Sequence, residues 1–193
     1  AAGNKAFGLT CPLVTKADGT KFGKTEGGTV WLDRNKTSVY QFYQFWINSE
    51  DQKIVDYLKI YTFLDKDAIL QLEQAVREQP EKREAQRKLA EEVTTLVHGA
   101  DAMRSAQNIS QALFGGEFQD LAEDEIVEGF HDVPTYEMEV AEIGLIDLLI
   151  AAKISSSKRE ARQDVQNGSI YINGERHTEL DSTIRLQDGL HGK

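Results

Sequence analysis

The sequence predicts a mainly α fold that ends in a small α+β module. Three observations carry that reading. From Thr37 to about Glu128, apolar residues recur at helical intervals between capping residues. Phe130 to Val140 then contains Pro134 and no helical period. Beyond it, two short helical patterns precede an alternating run that turns on Asn173-Gly174, a strong hairpin signal. The expected organisation is an opening segment over 1–32, a helical domain over 33–130, a linker over 131–142 and the module over 143–193.

The opening begins with Phe7 to Val14, which reads as a short buried strand, followed by the glycine- and lysine-rich loop TKADGTKFGKTEGG. Val30 to Leu32 is another short apolar element. In TSVYQFYQFWINSE, Thr37 or Ser38 can cap a helix in which Tyr40, Phe42, Tyr43, Phe45 and Trp46 cover more than one face. Such a helix is buried on most sides; packing is favoured over an aromatic ligand cage. DQKIVDYLKIYTFL continues as a helix, and Asp65 can cap the next, with Ile69, Leu72 and Val76 at helical spacing. Pro80 interrupts that pattern. Glu81 to His98 is a charged amphipathic helix with Leu89, Val93, Leu96 and Val97 on one stripe and Gly99 as its stop. Ala100 to Phe114 is helical up to Gly115-Gly116, and Ala122 to Glu128 forms a short acidic helix. In the module, GLIDLLIAAKIS is an apolar helix, SSSKREARQDVQNG is a serine-capped helix closed by Gly168, and SIYINGER is the hairpin.

Bulk composition bounds the function. The chain has 193 residues, 40% of them hydrophobic, which is enough for a core. A single cysteine, Cys11, leaves no internal disulfide and suits a reducing compartment. No apolar run is long enough for a membrane span, and AAGNKAFG lacks the apolar core of a signal peptide. The expectation is a soluble cytoplasmic protein. The net charge of −10 argues against indiscriminate nucleic-acid binding. The charge is uneven: residues 100–142 carry one basic and eleven acidic side chains, whereas 143–193 carry seven of each. A local basic face therefore remains open. His98, His131, His177 and His191 have no metal or catalytic spacing, so no metal site is expected.

The loop first suggests phosphate. A P-loop requires four residues between its glycines, however, and Gly19-Thr20-Lys21-Phe22-Gly23-Lys24-Thr25 has three. A second pattern fits every position. Lys21-Phe22-Gly23-Lys24-Thr25 is similar to the lysine signature of class I aminoacyl-tRNA synthetases, K-M-S-K-S in its common form. Two lysines three apart can clamp a triphosphate and neutralise charge building on departing pyrophosphate. The flanking AFGLTCPLVTKADGTKFGKTEGG and VWLD, together with SVYQFYQFWIN, resemble the bacterial tyrosyl-tRNA synthetase family. The competing reading is a solvated basic turn.

A second signature runs from Ser155-Ser156-Ser157-Lys158-Arg159-Glu160-Ala161-Arg162 through Val165 and Gly168 to Tyr171-Ile172-Asn173-Gly174. Lys158 and Arg162 share a helix face, in first turns whose backbone N–H groups also favour anions. The spacing resembles the small RNA-binding domain first named for a ribosomal small-subunit protein, which the same synthetases carry at their C-terminus. The competing reading is a salt-bridged surface helix, because Glu160 and Asp164 are close by.

The resemblance runs through nearly the whole chain and implies several things. Residues 1–32 would be the tail of a nucleotide-binding α/β catalytic domain, whose histidine-glycine-histidine motif and tyrosine pocket are not among these residues. The C-terminal module normally continues with further basic strands, so a piece of a larger enzyme is expected, inactive alone. The implied reaction activates tyrosine with ATP, Mg accompanying the nucleotide, and passes it to tRNA(Tyr). Lys21 and Lys24 would be catalytic, and Lys21, Phe22, Gly23, Lys24 and Thr25 would form the ATP loop. Ser155, Lys158, Arg159, Arg162, Asn167 and Tyr171 would hold RNA. The parent would be a homodimer. A free-standing RNA-binding adaptor without catalysis is the alternative.

Overall fold

The computed structural model describes residues 7–23, 29–131 and 133–192. Among these the fold is helix-rich, with eight α-helices and four three-residue strands in two separate antiparallel pairs. No helix among the described residues is long and apolar enough to cross a membrane. The chain divides into two compact units, Ala1–Ala100 and Asp101–Lys193.

In the first unit, α1 (Val39–Ile47) starts with a capping box: Ser38 Oγ accepts from Gln41 N at 3.2 Å, and Gln41 Oε1 accepts from Ser38 N at 3.3 Å. Phe42, Tyr43 and Trp46 are buried and the other α1 residues are half-buried, as the spread of aromatics predicts. α2 (Asp51–Tyr61) buries Ile54, Tyr57 and Leu58. α3 (Lys66–Glu78) is capped by Asp65, whose carboxylate accepts from Ala68 N at 2.8 Å.

Pro80 opens a short 3₁₀ turn, Pro80–Lys82, so α4 (Glu84–His98) begins three residues later than the sequence pattern suggests. α4 packs against α1, α2 and α3 through Ala85, Gln86, Leu89, Ala90, Val93 and Thr94. The expected stripe is correct at Leu89 and Val93 but not at its end, since Leu96 and Val97 are exposed. In that last turn His98 makes the inward contact, its ring edge-on to Phe42 at 4.8 Å. Arg83, at φ 49°, donates to Ile47 O at 2.7 Å and Ser49 O at 3.2 Å, tying the start of α4 to the carbonyl end of α1.

Two expectations for the opening segment are corrected. Phe7 to Val14 forms no strand, and Phe7 and Leu9 are almost fully exposed. A strand needs a neighbour to take its N–H and C=O groups. The ladder contact in this segment is the single antiparallel bridge Thr15↔Lys21. Val30 to Leu32 forms no element either, and Leu32 is largely exposed.

In the second unit, α5 (Ala100–Gly115) and α6 (Glu123–Gly129) meet closely. Ser105 Oγ donates to Glu125 at 2.7 Å, and a Cβ on Gly129 would fall 2.7 Å from Ile109 Cγ2. The module contains β1 (Glu142–Gly144), α7 (Leu145–Ala151), α8 (Lys158–Gln166), β2 (Ile170–Ile172), β3 (Glu175–His177) and β4 (Thr183–Arg185). Leu145, Leu149, Ala161 and Val165 form its core, with Ile170, Ile172, Leu180 and Ile184 packed around them. The hairpin occurs as predicted: Ile172 pairs with Glu175, and Asn173 and Gly174 both have positive φ, as a type I′ turn demands. The pairing of β1 with β4 (Ile143↔Ile184) is not foreseen, because its two strands are short and some forty residues apart.

Candidate functional site

The lysine loop grows out of a tight hairpin. Gly19 N donates to Lys16 O at 3.0 Å, Lys16 N to Thr20 O at 2.9 Å, and Phe22 N to Val14 O at 3.0 Å. Gly19 closes the turn at φ 81°, a conformation that costs other residues energy. Asp18 Oδ1 accepts from Thr20 N at 2.8 Å and from Thr20 Oγ1 at 2.6 Å. The Thr20 hydroxyl, then its backbone N–H, hold the Asp18 carboxyl below its ordinary value.

Three tethers fix this hairpin to the helices. Ala17 N donates to Glu50 Oε2 at 3.0 Å, and the Tyr57 hydroxyl donates to Thr15 O at 3.1 Å. The third tether is aromatic. The ring of Phe22 lies 4.8 Å from Tyr57, 5.5 Å from Phe45, 5.6 Å from Trp46 and 5.7 Å from Tyr61, centroid to centroid. Each geometry is tilted or edge-on, the arrangement that ring quadrupoles favour. The aromatic run of α1 therefore does build a cage with α2, and the chain's own Phe22 fills it. Lys21, at the bridge to Thr15, immediately precedes Phe22 and the turn that follows, and is exposed. Gly23 follows at φ 75°. Lys24 and Thr25 lie outside the described residues.

The second candidate surface is on α8. Ser157 is its N-cap, accepting from Glu160 N at 3.3 Å. Ser156 donates both its backbone N–H, at 2.7 Å, and its hydroxyl to Glu160 Oε2. These bonds, the Ser156 hydroxyl first, hold the Glu160 carboxyl low. Ser155 is buried, and its hydroxyl donates to Asp164 Oδ2 at 3.1 Å. Each of the two acids beside the basic residues is thus bonded to a serine. Lys158 instead pairs with Asp147 on α7, Nζ to Oδ1 2.7 Å. Arg159 and Arg162 are exposed, and no ion pair among the described residues involves either. The salt-bridged surface helix is therefore supported only at Lys158.

Asn167 and Tyr171 are exposed, and Tyr171 stands opposite Arg176 in the hairpin register. Ser155 differs from the others in facing inward. α8 ends in a Schellman motif, with Ser169 N donating to Asp164 O at 3.0 Å and Gly168 N to Val165 O at 2.9 Å. Sequence reasoning missed Arg176, which donates to Gly168 O and to Asn167 O, both at 2.8 Å. It also missed Glu50 and Tyr57 as loop tethers. Their partners are backbone groups distant in sequence, so no spacing signals them.

Comparison with known proteins finds two matching families. The family described as tRNA synthetases class I (W and Y) matches residues 2–115, and the tyrosine–tRNA ligase SYY-like C-terminal domain matches residues 125–193. A tyrosine–tRNA ligase of Bacillus pumilus is 57% identical over 100% of this chain and 46% of its own length. The tyrosine–tRNA ligase of Geobacillus stearothermophilus is 57% identical over 98% of this chain and 45% of its own. A solved C-terminally truncated Coccidioides posadasii mitochondrial tyrosyl-tRNA synthetase matches 52% of this chain and 26% of that chain, at 38% identity and a TM-score of 0.45. The chain thus spans about half the length of the curated relatives it matches. On the match over its first 115 residues, the chain belongs to the class I tRNA synthetase family, W and Y.

Proposed function

We propose that the chain works as the C-terminal half of a tyrosine–tRNA ligase. The observation that carries this reading is the match, across the whole chain, to proteins bearing that name. In the proposed reaction the tyrosine carboxylate attacks the α-phosphate of ATP and pyrophosphate leaves. The adenylate then passes its tyrosyl group to the 3′ end of tRNA(Tyr). Mg²⁺ would accompany the nucleotide.

Lys21 and Lys24 stabilise charge as it builds on the leaving pyrophosphate, and Phe22, Gly23 and Thr25 complete the ATP loop. The exposure of Lys21 beside an anchored Phe22 supports its part in this. Arg159, Arg162 and Lys158, with Ser155, Asn167 and Tyr171, hold the RNA, Ser155 from its buried place before α8 where it bonds Asp164. Residues 1–32 are the tail of the catalytic domain, 33–130 the helical anticodon-binding domain and 143–193 the RNA-binding module. The complete ligase is a cytoplasmic homodimer.

Pre-steady-state adenylate formation tests the reading. In the full-length ligase carrying this segment, Lys24→Ala slows adenylate formation by about 3–4 kcal/mol of barrier while tyrosine binding persists. An unchanged rate removes the loop from the chemistry. Salt-dependent binding to RNA without preference for tRNA(Tyr) would favour the adaptor reading instead.

A further inference from the structure

We infer that Phe22 is a positioning residue: seated among Phe45, Trp46, Tyr57 and Tyr61, it sets where Lys21 stands relative to ATP. The inference rests on the ligase reading above and deepens it. Lys21 has a long, flexible side chain, and a lysine ammonium is a point charge without directional preference of its own. Its value to a transition state depends on where its backbone is held. Its neighbour Phe22 is held by packing. Four rings from two helices surround Phe22 at centroid distances of 4.8–5.7 Å.

The two polar tethers act on the opposite strand and turn of the same hairpin. Tyr57 holds Thr15, the bridge partner of Lys21, and Glu50 holds Ala17. Tyr57 thus contributes its ring to the Phe22 socket and its hydroxyl to the facing strand. Phe22 is half-buried in the socket while Lys21, its neighbour at the bridge to Thr15, is exposed. Loss of the ring leaves Lys21 present but its backbone unfixed from one side.

The test uses the full-length ligase and adenylate formation measured in single turnovers. Phe22→Ala is expected to slow the step by about 10- to 100-fold, the cost of a misplacement near one ångström, with tyrosine affinity unchanged. Phe22→Tyr is expected to restore most of the rate. In the Lys21→Ala background, Phe22→Ala is expected to cost almost nothing more, because the ring acts through that lysine. Additive losses, or a wild-type rate in Phe22→Ala, overturn the inference. If Phe22→Ala does not fold, Tyr57→Phe removes the hydroxyl tether alone, and its loss of rate must vanish in the Lys21→Ala background. If Lys21→Ala itself leaves adenylate formation unchanged, the role assigned to the loop fails as well. An active Phe22→Ala beside an impaired Lys21→Ala sinks the positioning role only.

Discussion

Arg176 Nε donates to Gly168 O at 2.8 Å, and a Cβ placed on Gly168 would lie 2.0 Å from that same nitrogen. Gly168 also has φ 67°. Both constraints predict that Gly168→Ala lowers stability, through αL strain of about 1–2 kcal/mol and a displaced guanidinium. Thermal unfolding of the chain measures the loss. Arg176→Ala should lower the midpoint too, and in its background the Gly168→Ala penalty should shrink toward the strain alone.

Arg159 and Arg162 face solvent, whereas Lys158 is paired with Asp147. Arg162→Ala should weaken tRNA binding and reduce the slope of log affinity against log salt by about one. Lys158→Ala should cost less. Asp147→Asn releases the Lys158 ammonium and should tighten binding. Titrations at several salt concentrations read all three.

The turn at Asp18 should loosen in acid. Its carboxyl is held below its ordinary value by the Thr20 hydroxyl and amide, so the charged form is the one the fold stabilises. That contribution is complete above the unfolded value and is lost as pH falls through the lower folded value. The Thr20 amide resonance should stay native-like at neutral pH and move only below the ordinary carboxylate range. Asp18→Asn should abolish that acid transition.

Arg83 satisfies two carbonyls at the end of α1. Arg83→Ala should destabilise the first unit by about 1.5–3 kcal/mol, the range for hydrogen bonds to charged groups. Denaturant unfolding followed by the fluorescence of Trp31 and Trp46, both in this unit, would report it. A loss well under that range would mean that water replaces the guanidinium at both oxygens.

What the sequence reveals here is local. Ser38, Asp65, Gly99 and Asn173-Gly174 act within four residues of themselves, so their caps and turns are legible from spacing. The aromatic run of α1 signals burial, but not that Phe22, twenty residues upstream, would fill the space between α1 and α2. Phe7 to Val14 has a strand's composition without a strand's partner. Pairing is a property of two segments, so composition alone cannot supply it. The basic trio on α8 is legible as a candidate surface. Its division into one paired lysine and two open arginines is not, because Asp147 lies on a different helix.

The serines before α8 have an electrostatic consequence for the module, whose seven basic and seven acidic side chains cancel formally. At physiological salt, charges beyond about 8 Å are largely screened, so an approaching phosphate senses neighbours and not totals. By engaging Glu160 and Asp164, Ser155 and Ser156 occupy carboxylate oxygens that could otherwise pair with the adjacent guanidiniums. A neutral module can thus leave two guanidiniums open to a phosphate, and the isoelectric point of the chain, about 4.9, says nothing against it.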